Sequence, residues 1–254
     1  MVLTDQRLRG HPNIPHLLYY DLINQEDSHV APALIVERAR YGSLAEYLDH
    51  QEGAKVGSMT DHEPLDPVLT AAEKMALCSD MIAGLLALHS TDVAHGDVKT
   101  DNFLLFENPE NSQRFLAKLA DFGSIIPLSP PRKRTSSRYL GTQIWNAPEV
   151  ENQSNEQFLD SKGVLRCDNY SLGLCIMHIV SGVVLPELMS RKLSVLENAL
   201  SSIKASQLPV EDEHLVSEII DRLLIYEPTK RCSDLSVVQT ILNSSRAQDG
   251  DQDK

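Results

Sequence analysis

No stretch of this 254-residue sequence is apolar for long enough to cross a bilayer. The longest candidate, Leu172 to Leu185, is broken by His178, Ser181 and Gly182 and reads as a buried core helix. Positive charge is scarce: Lys+Arg 23 against Asp+Glu 36 leaves a net −13, a surface that repels phosphate backbones and anionic headgroups and argues against nucleic acid and membrane as partners. The four cysteines (Cys78, Cys167, Cys175, Cys232) have no C-x-x-C spacing and fall in helical patterns, so reduced core thiols of an intracellular chain are expected. The first ten residues carry Asp5, Arg7 and Arg9 with no apolar run behind them. No signal peptide or targeting segment is read there, and the expected location is cytoplasmic, with the nucleus as the alternative. There is no internal repeat. Two segments are biased: 51–67 reads as a loop, and the residues after Asn243 as a frayed acidic tail.

What is present is a globular balance of 42% hydrophobic and 23% charged residues. Pro12 to Asp21 and Ala31 to Val36, separated by a polar NQEDSH turn, predict a β-hairpin. Ser43-Leu-Ala-Glu46 and Thr70-Ala-Ala-Glu73 have the capping-box form, in which a hydroxyl and a carboxylate satisfy opposite orphan amides, so each predicts a helix start. Cys78, Ile82 and Leu85, widened by Met81, Leu86 and Leu88, put a buried stripe on a helix over 71–90. Leu215 to Leu224 and Val237 to Leu242 repeat the helical spacing, so after one hairpin the chain is expected to be nearly all helical.

The chemistry-bearing residues follow the 71–90 helix: His95-Gly-Asp97-Val-Lys99-Thr-Asp101-Asn102, Asp121-Phe122-Gly123, Gly141-Thr142 and Ala147-Pro148-Glu149. This series resembles the eukaryotic-type protein kinase family, whose H-R-D-x-x-x-x-N, D-F-G and A-P-E motifs occur in that order, with Gly96 here in place of Arg. The resemblance implies an α+β protein-kinase-like fold, mainly the helical C-terminal lobe with a residual hairpin of the N-terminal lobe. It divides the chain into 1–38 (end of the C helix and strands 4 and 5), 39–243 (C-lobe) and a disordered acidic tail over 244–254. It implies ATP and Mg2+ as ligands and a protein serine or threonine hydroxyl as acceptor. Asp97 would orient that hydroxyl and take its proton, Lys99 would face the γ-phosphate, and Asn102 and Asp121 would offer oxygen to magnesium. Val36 and Glu37 resemble the gatekeeper and hinge, with Glu37 and Ala39 meeting adenine through their backbone and Leu104 beneath the base. His95, Phe122, Gly123, Thr142, Glu149, Asp168 and Arg231 take the family's structural places, the last three as the anchor of the catalytic loop and a buried ion pair. Phe122 is expected in the core, and Trp145 as a packing residue.

The family's Gly-rich loop, strand 3 Lys and C-helix Glu lie upstream of the His11-Pro-Asn-Ile14 position, and no G-x-G-x-x-G stands in this sequence. A fragment or truncated form of a longer kinase, inactive as written, is therefore expected, with a pseudokinase scaffold that binds partner proteins as the alternative. A third reading, the small-molecule phosphotransferases of the aminoglycoside and choline kinase class, shares His-Gly-Asp. It is opposed by Lys99 and by the GT…APE segment, which favour a serine/threonine kinase. In the family the Arg missing at Gly96 often receives an activation-segment phosphate, so Gly96 implies activity not switched in that way. Thr135, Ser136 and Ser137, beside Arg132, Lys133, Arg134 and Arg138, are candidate phosphosites, against a solvated basic loop as the plainer reading.

Overall fold

A computed structural model describes residues 2–24, 30–56, 68–108, 113–128, 138–151, 159–183, 195–206 and 208–249. The candidate phosphosites 135–137 and the basic residues 132–134 lie outside them.

The chain opens with a single 3-10 turn, Val2–Thr4, where the end of a C helix was expected. Leu3, Leu8 and Ile14 are nevertheless buried and join the core. Strands β1 (Leu17–Asn24) and β2 (Val30–Val36) form the expected antiparallel hairpin, with β1 starting later and running further than the Pro12 to Asp21 reading. The pairing slips between Leu17 and Tyr19. Leu18, Tyr19, Tyr20, Leu22 and Leu34 are exposed, so much of the described part of this ribbon is uncovered. Among the described side chains of the hairpin, Leu17 and Val36 at its base pack against the core.

Helix α1 (Leu44–Val56) begins at the Ser43 box, where Glu46 N–H donates to Ser43 Oγ at 3.2 Å and Ser43 N–H to Glu46 Oε2 at 2.8 Å. It carries on to Val56, so part of the stretch read as a loop from Gln51 is helical. Helix α2 (Ala71–His89) has the complete Thr70/Glu73 box and buries Met75, Cys78, Met81, Ile82, Leu85 and Leu88 on the predicted face. Helix α4 (Ser161–Ser181), after the short α3 (Pro148–Glu151), is the axis of the molecule, with every residue from Cys167 to Val180 buried. An element buried all round reads as continuous hydrophobicity broken only by residues with internal work to do, which is why Asp168, Asn169 and Ser171 stand among its apolar residues. Gly182, at φ +67, closes it in the left-handed region. Helices α5 (Val195–Lys204), α6 (Val210–Leu223) and α7 (Leu235–Asp249) finish the body. Helix α7 extends past the boundary placed at 243, into the expected tail.

The expectation of an almost wholly helical remainder needs correction at two strand pairs. Strands β4 (Phe103–Glu107) and β5 (Phe115–Leu119) pair antiparallel, and β3 (Val93–Ala94) pairs with β6 (Ile126–Pro127). These runs are too short for periodicity to separate from helix, and their pairing is decided by the α2 and α4 surfaces beneath them. Cys232 lies in a loop, while Cys78, Cys167 and Cys175 are buried in helices, and none of the four is in a disulfide. The whole is an α+β body in which three two-stranded ladders accompany a helical core.

Candidate active site

Residues 95–102 connect β3 to β4, and their shape is imposed from below by one carboxylate. Asp168 of α4, fully buried, accepts the His95 amide at 2.7 Å and the Gly96 amide at 3.0 Å, and His89 Nε2 lies 2.9 Å from it. Burial works against the charged carboxylate, yet the His89 hydrogen bond, the His89 and His95 charges and the His95 amide hold its pKa below the ordinary aspartate value. Gly96 sits at φ +81, and a Cβ there would lie 2.2 Å from the Ser124 carbonyl oxygen. Two segments distant in sequence therefore touch at a position only glycine fills without movement. The His95 ring is wholly buried, with Nε2 2.9 Å from the Ala120 carbonyl and Nδ1 accepting the Asp97 amide at 3.3 Å.

Above this base, Thr142 Oγ1 donates to Asp97 Oδ1 at 2.7 Å, while Lys99 Nζ lies 3.1 Å from Asp97 Oδ2 and donates to Thr142 at 3.0 Å. Carboxylate, ammonium and hydroxyl thus close a triangle. Asn102 donates its amide to the Asp97 carbonyl at 2.8 Å, which leaves its oxygen as the end that can meet a cation. Asp121 is exposed and adopts φ 58, ψ 72, a left-handed conformation uncommon outside glycine, with its carboxylate accepting from the Gly123 amide at 3.3 Å. No group of three or more His, Cys, Asp or Glu capable of holding a metal occurs among the described residues. The pair Asn102 and Asp121 still fits magnesium, which is usually held by one or two protein oxygens together with substrate phosphates and water rather than by an all-protein cage.

The chain after β2 runs along β4: Tyr41 N–H donates to the Leu105 carbonyl at 3.3 Å and Leu105 N–H to the Gly42 carbonyl at 2.9 Å. Leu104 forms a β-bridge with Ser43, and Val36, Ala39 and Leu104 are each half-buried. The Glu37 carboxylate is engaged with the His16 amide at 2.7 Å and with Lys118 of β5. Phe122, half-buried where a core residue was expected, packs against the core from its margin, edge-on to His95 with ring centroids 5.9 Å apart. Trp145 is 5% exposed and packs beside His178.

Glu149 and Arg231 form a bidentate pair at 2.6 and 3.0 Å, and the Arg231 guanidinium also donates to the Ile225 and Arg166 carbonyls. The Cys167 thiol, pushed up by burial and by Glu149, donates to that carboxylate. The structure thus brings Asp97, Lys99, Asn102 and Thr142 together over His95 and Asp168, while Glu149 and Arg231 pair with each other against α4. Sequence reasoning missed His89, Tyr139 and the Ser124 carbonyl. None carries a motif of its own, and each is recruited by the position of Asp168 or Gly96. A cavity of about 370 Å³ opens elsewhere, lined by Leu3, Leu8, Ile14, Leu17 and Tyr19 and by none of the predicted site residues.

A family model described as the protein kinase domain matches residues 3–245. Among curated proteins, the serine/threonine-protein kinase STE20 of Saccharomyces cerevisiae is 31% identical over 229 residues, which are 88% of this chain and 20% of that protein. The serine/threonine-protein kinase SKM1 of the same yeast is 31% identical over 182 residues, covering 72% of this chain and 24% of the relative. The serine/threonine-protein kinase dst2 of Dictyostelium discoideum is 36% identical over 125 residues, 48% of this chain and 10% of the relative. The chain therefore spans between 10% and 24% of the length of these relatives.

Proposed function

Because this chain belongs to the protein kinase family, we propose that it binds ATP with magnesium and transfers the γ-phosphate to a serine or threonine hydroxyl of a protein. The observation that carries the reading is the triangle at Asp97: an aliphatic hydroxyl, that of Thr142, already donates to this carboxylate at 2.7 Å with a lysine ammonium 3.1 Å away. In the reaction, Asp97 accepts the acceptor hydroxyl's hydrogen bond and then its proton, and Lys99 faces the transferring group as a point charge. Magnesium, when bound by Asn102 and Asp121, spreads the negative charge of the phosphates. Val36, Glu37, Ala39 and Leu104 are the proposed adenine contacts, the hinge residues through their backbone.

The 254 residues hold no G-x-G-x-x-G loop, and one missing donor to a charged transition state typically costs roughly 10² to 10³ in rate. Turnover by these 254 residues assayed by themselves is accordingly expected to be low; a scaffold for partner proteins is the competing reading. The small-molecule phosphotransferase reading has less support, because Gly141 to Glu149 is fastened to α4 through Ser171, whose hydroxyl donates to the Trp145 carbonyl at 2.7 Å. Thermal denaturation with ATP and magnesium, beside an Asp121→Asn control, tests the proposal. A magnesium-dependent rise in melting temperature lost in the control is expected by mass action. Phosphorylation of a generic peptide, abolished by Asp97→Asn, is expected with it. A folded chain that shows neither supports the scaffold reading.

A further inference from the structure

Tyr139 stands in the first described residues after 129–137, three positions before Thr142, and its side chain is almost completely buried at 2% exposure. Its hydroxyl donates to Asp168 Oδ1 at 2.9 Å. That is the oxygen which also accepts the Gly96 amide, and the carboxylate's other oxygen holds the His95 amide. The Tyr139 ring is packed as well: Gly141, at φ +56, has its vacant Cβ position 2.9 Å from Tyr139 Cε1 and 2.0 Å from Asn146 Oδ1. Asn146 in turn donates to the Leu140 carbonyl at 3.0 Å. One buried phenol therefore sits under the turn whose next residue, Thr142, reaches Asp97.

The complementary observation is at Gly96. A side chain there has no room, because the Ser124 carbonyl occupies the place of its Cβ, so no cation projects from the catalytic loop at that position. We propose that Tyr139 is a positioning residue: its buried hydroxyl, bonded to the carboxylate that grips the His95 and Gly96 amides, holds the Gly141–Thr142 turn onto Asp97 without help from a phosphate. The proposal rests on the kinase reading only for what the tether serves; the tether itself is a matter of geometry. A hydrogen bond to a buried carboxylate is of the stronger, charge-assisted kind, sufficient to fix the turn.

The test compares the 254-residue chain with Tyr139→Phe, which keeps the ring and removes the hydroxyl, by amide hydrogen exchange. The reporters are the Trp145 and Asn146 amides, which bond to the Thr142 and Gln143 carbonyls inside the turn at 2.9 and 3.1 Å. Their exchange is expected to speed roughly tenfold to a hundredfold in the variant, with the α2 amides unchanged. Unchanged exchange in the turn reduces Tyr139 to packing and overturns the proposal. Prior phosphatase treatment of the wild-type chain is expected to leave turn exchange as it was; acceleration on phosphate removal overturns it too.

Should Tyr139→Phe not fold, nitration of the wild-type chain decides: Tyr139 is expected to resist while exposed Tyr20 and Tyr226 react, and equal reaction refutes the buried tether. Binding of ATP with magnesium, measured on both chains, keeps the two ideas apart. Its absence in both refutes the nucleotide reading, while the exchange rates in the turn decide the role of Tyr139 independently.

Discussion

Replacing Arg231 by methionine is the most searching perturbation of this fold. The arginine side chain is wholly shielded from solvent, and its partner Glu149 is 14% exposed. The two meet through parallel bonds of 2.6 and 3.0 Å, while the same guanidinium serves the Ile225 carbonyl at 2.8 and 3.0 Å and the Arg166 carbonyl at 3.0 Å, and lies over the Tyr170 ring. Methionine restores much of the volume but none of the donors. Glu149 then keeps the weak Cys167 donor, and the Ile225 carbonyl after α6 and the Arg166 carbonyl within α4 lose the bonds the guanidinium gave them. Removing one member of a buried ion pair costs about 3–5 kcal/mol, because a charge is left without compensation. For a domain of this size each kcal/mol moves the melting temperature by roughly 2–4 °C, so a fall of about 6–20 °C is expected. Differential scanning calorimetry on wild type, Arg231→Met, Glu149→Gln and the double variant measures it. The double variant should fall by clearly less than the sum of the singles, since the second substitution removes the charge that the first exposed. A fall below about 3 °C for Arg231→Met, or strict additivity, would refute the reasoning.

Three further outcomes are expected. Since the folded pKa of Asp168 is depressed, its stabilising contribution is present above the ordinary carboxylate range near 3.8 and is lost as pH falls through the folded value. Melting temperatures between pH 7 and 3 should show a flatter acid limb, and a lower value at pH 7, for Asp168→Asn; superimposable acid limbs would contradict the anchor. Gly96→Ala places a methyl against the Ser124 carbonyl at a positive φ and should cost about 1–3 kcal/mol in urea denaturation, whereas an unmoved midpoint would show that the two loops do not touch. Leu22→Ser on the uncovered hairpin should change stability by no more than about 0.5 kcal/mol, against about 2–5 kcal/mol for Leu85→Ala in α2, and comparable losses would mean that the hairpin is covered.

The amino-acid sequence by itself determined the elements whose signals are local. Both capping boxes form as written, because Ser43/Glu46 and Thr70/Glu73 satisfy their own helix ends whatever packs around them. The apolar stripe of α2 and the continuous burial of α4 follow from spacing alone, and the motif order around Asp97, Asp121 and Glu149 was enough to suggest the family. Short elements were different. The β4/β5 ladder depends on neighbours that a short window of sequence does not contain, and α1 and α7 run past the bounds read for them. What only the tertiary structure decided is the wiring of the site. Asp168 lies more than 70 residues from the amides it holds and 29 from the phenol it receives, and the Gly96 substitution acquires its meaning only from the Ser124 carbonyl that fills the vacated space. Periodicity and capping are properties of a few consecutive residues, whereas a hydrogen bond to a buried carboxylate is a property of where the folded chain returns.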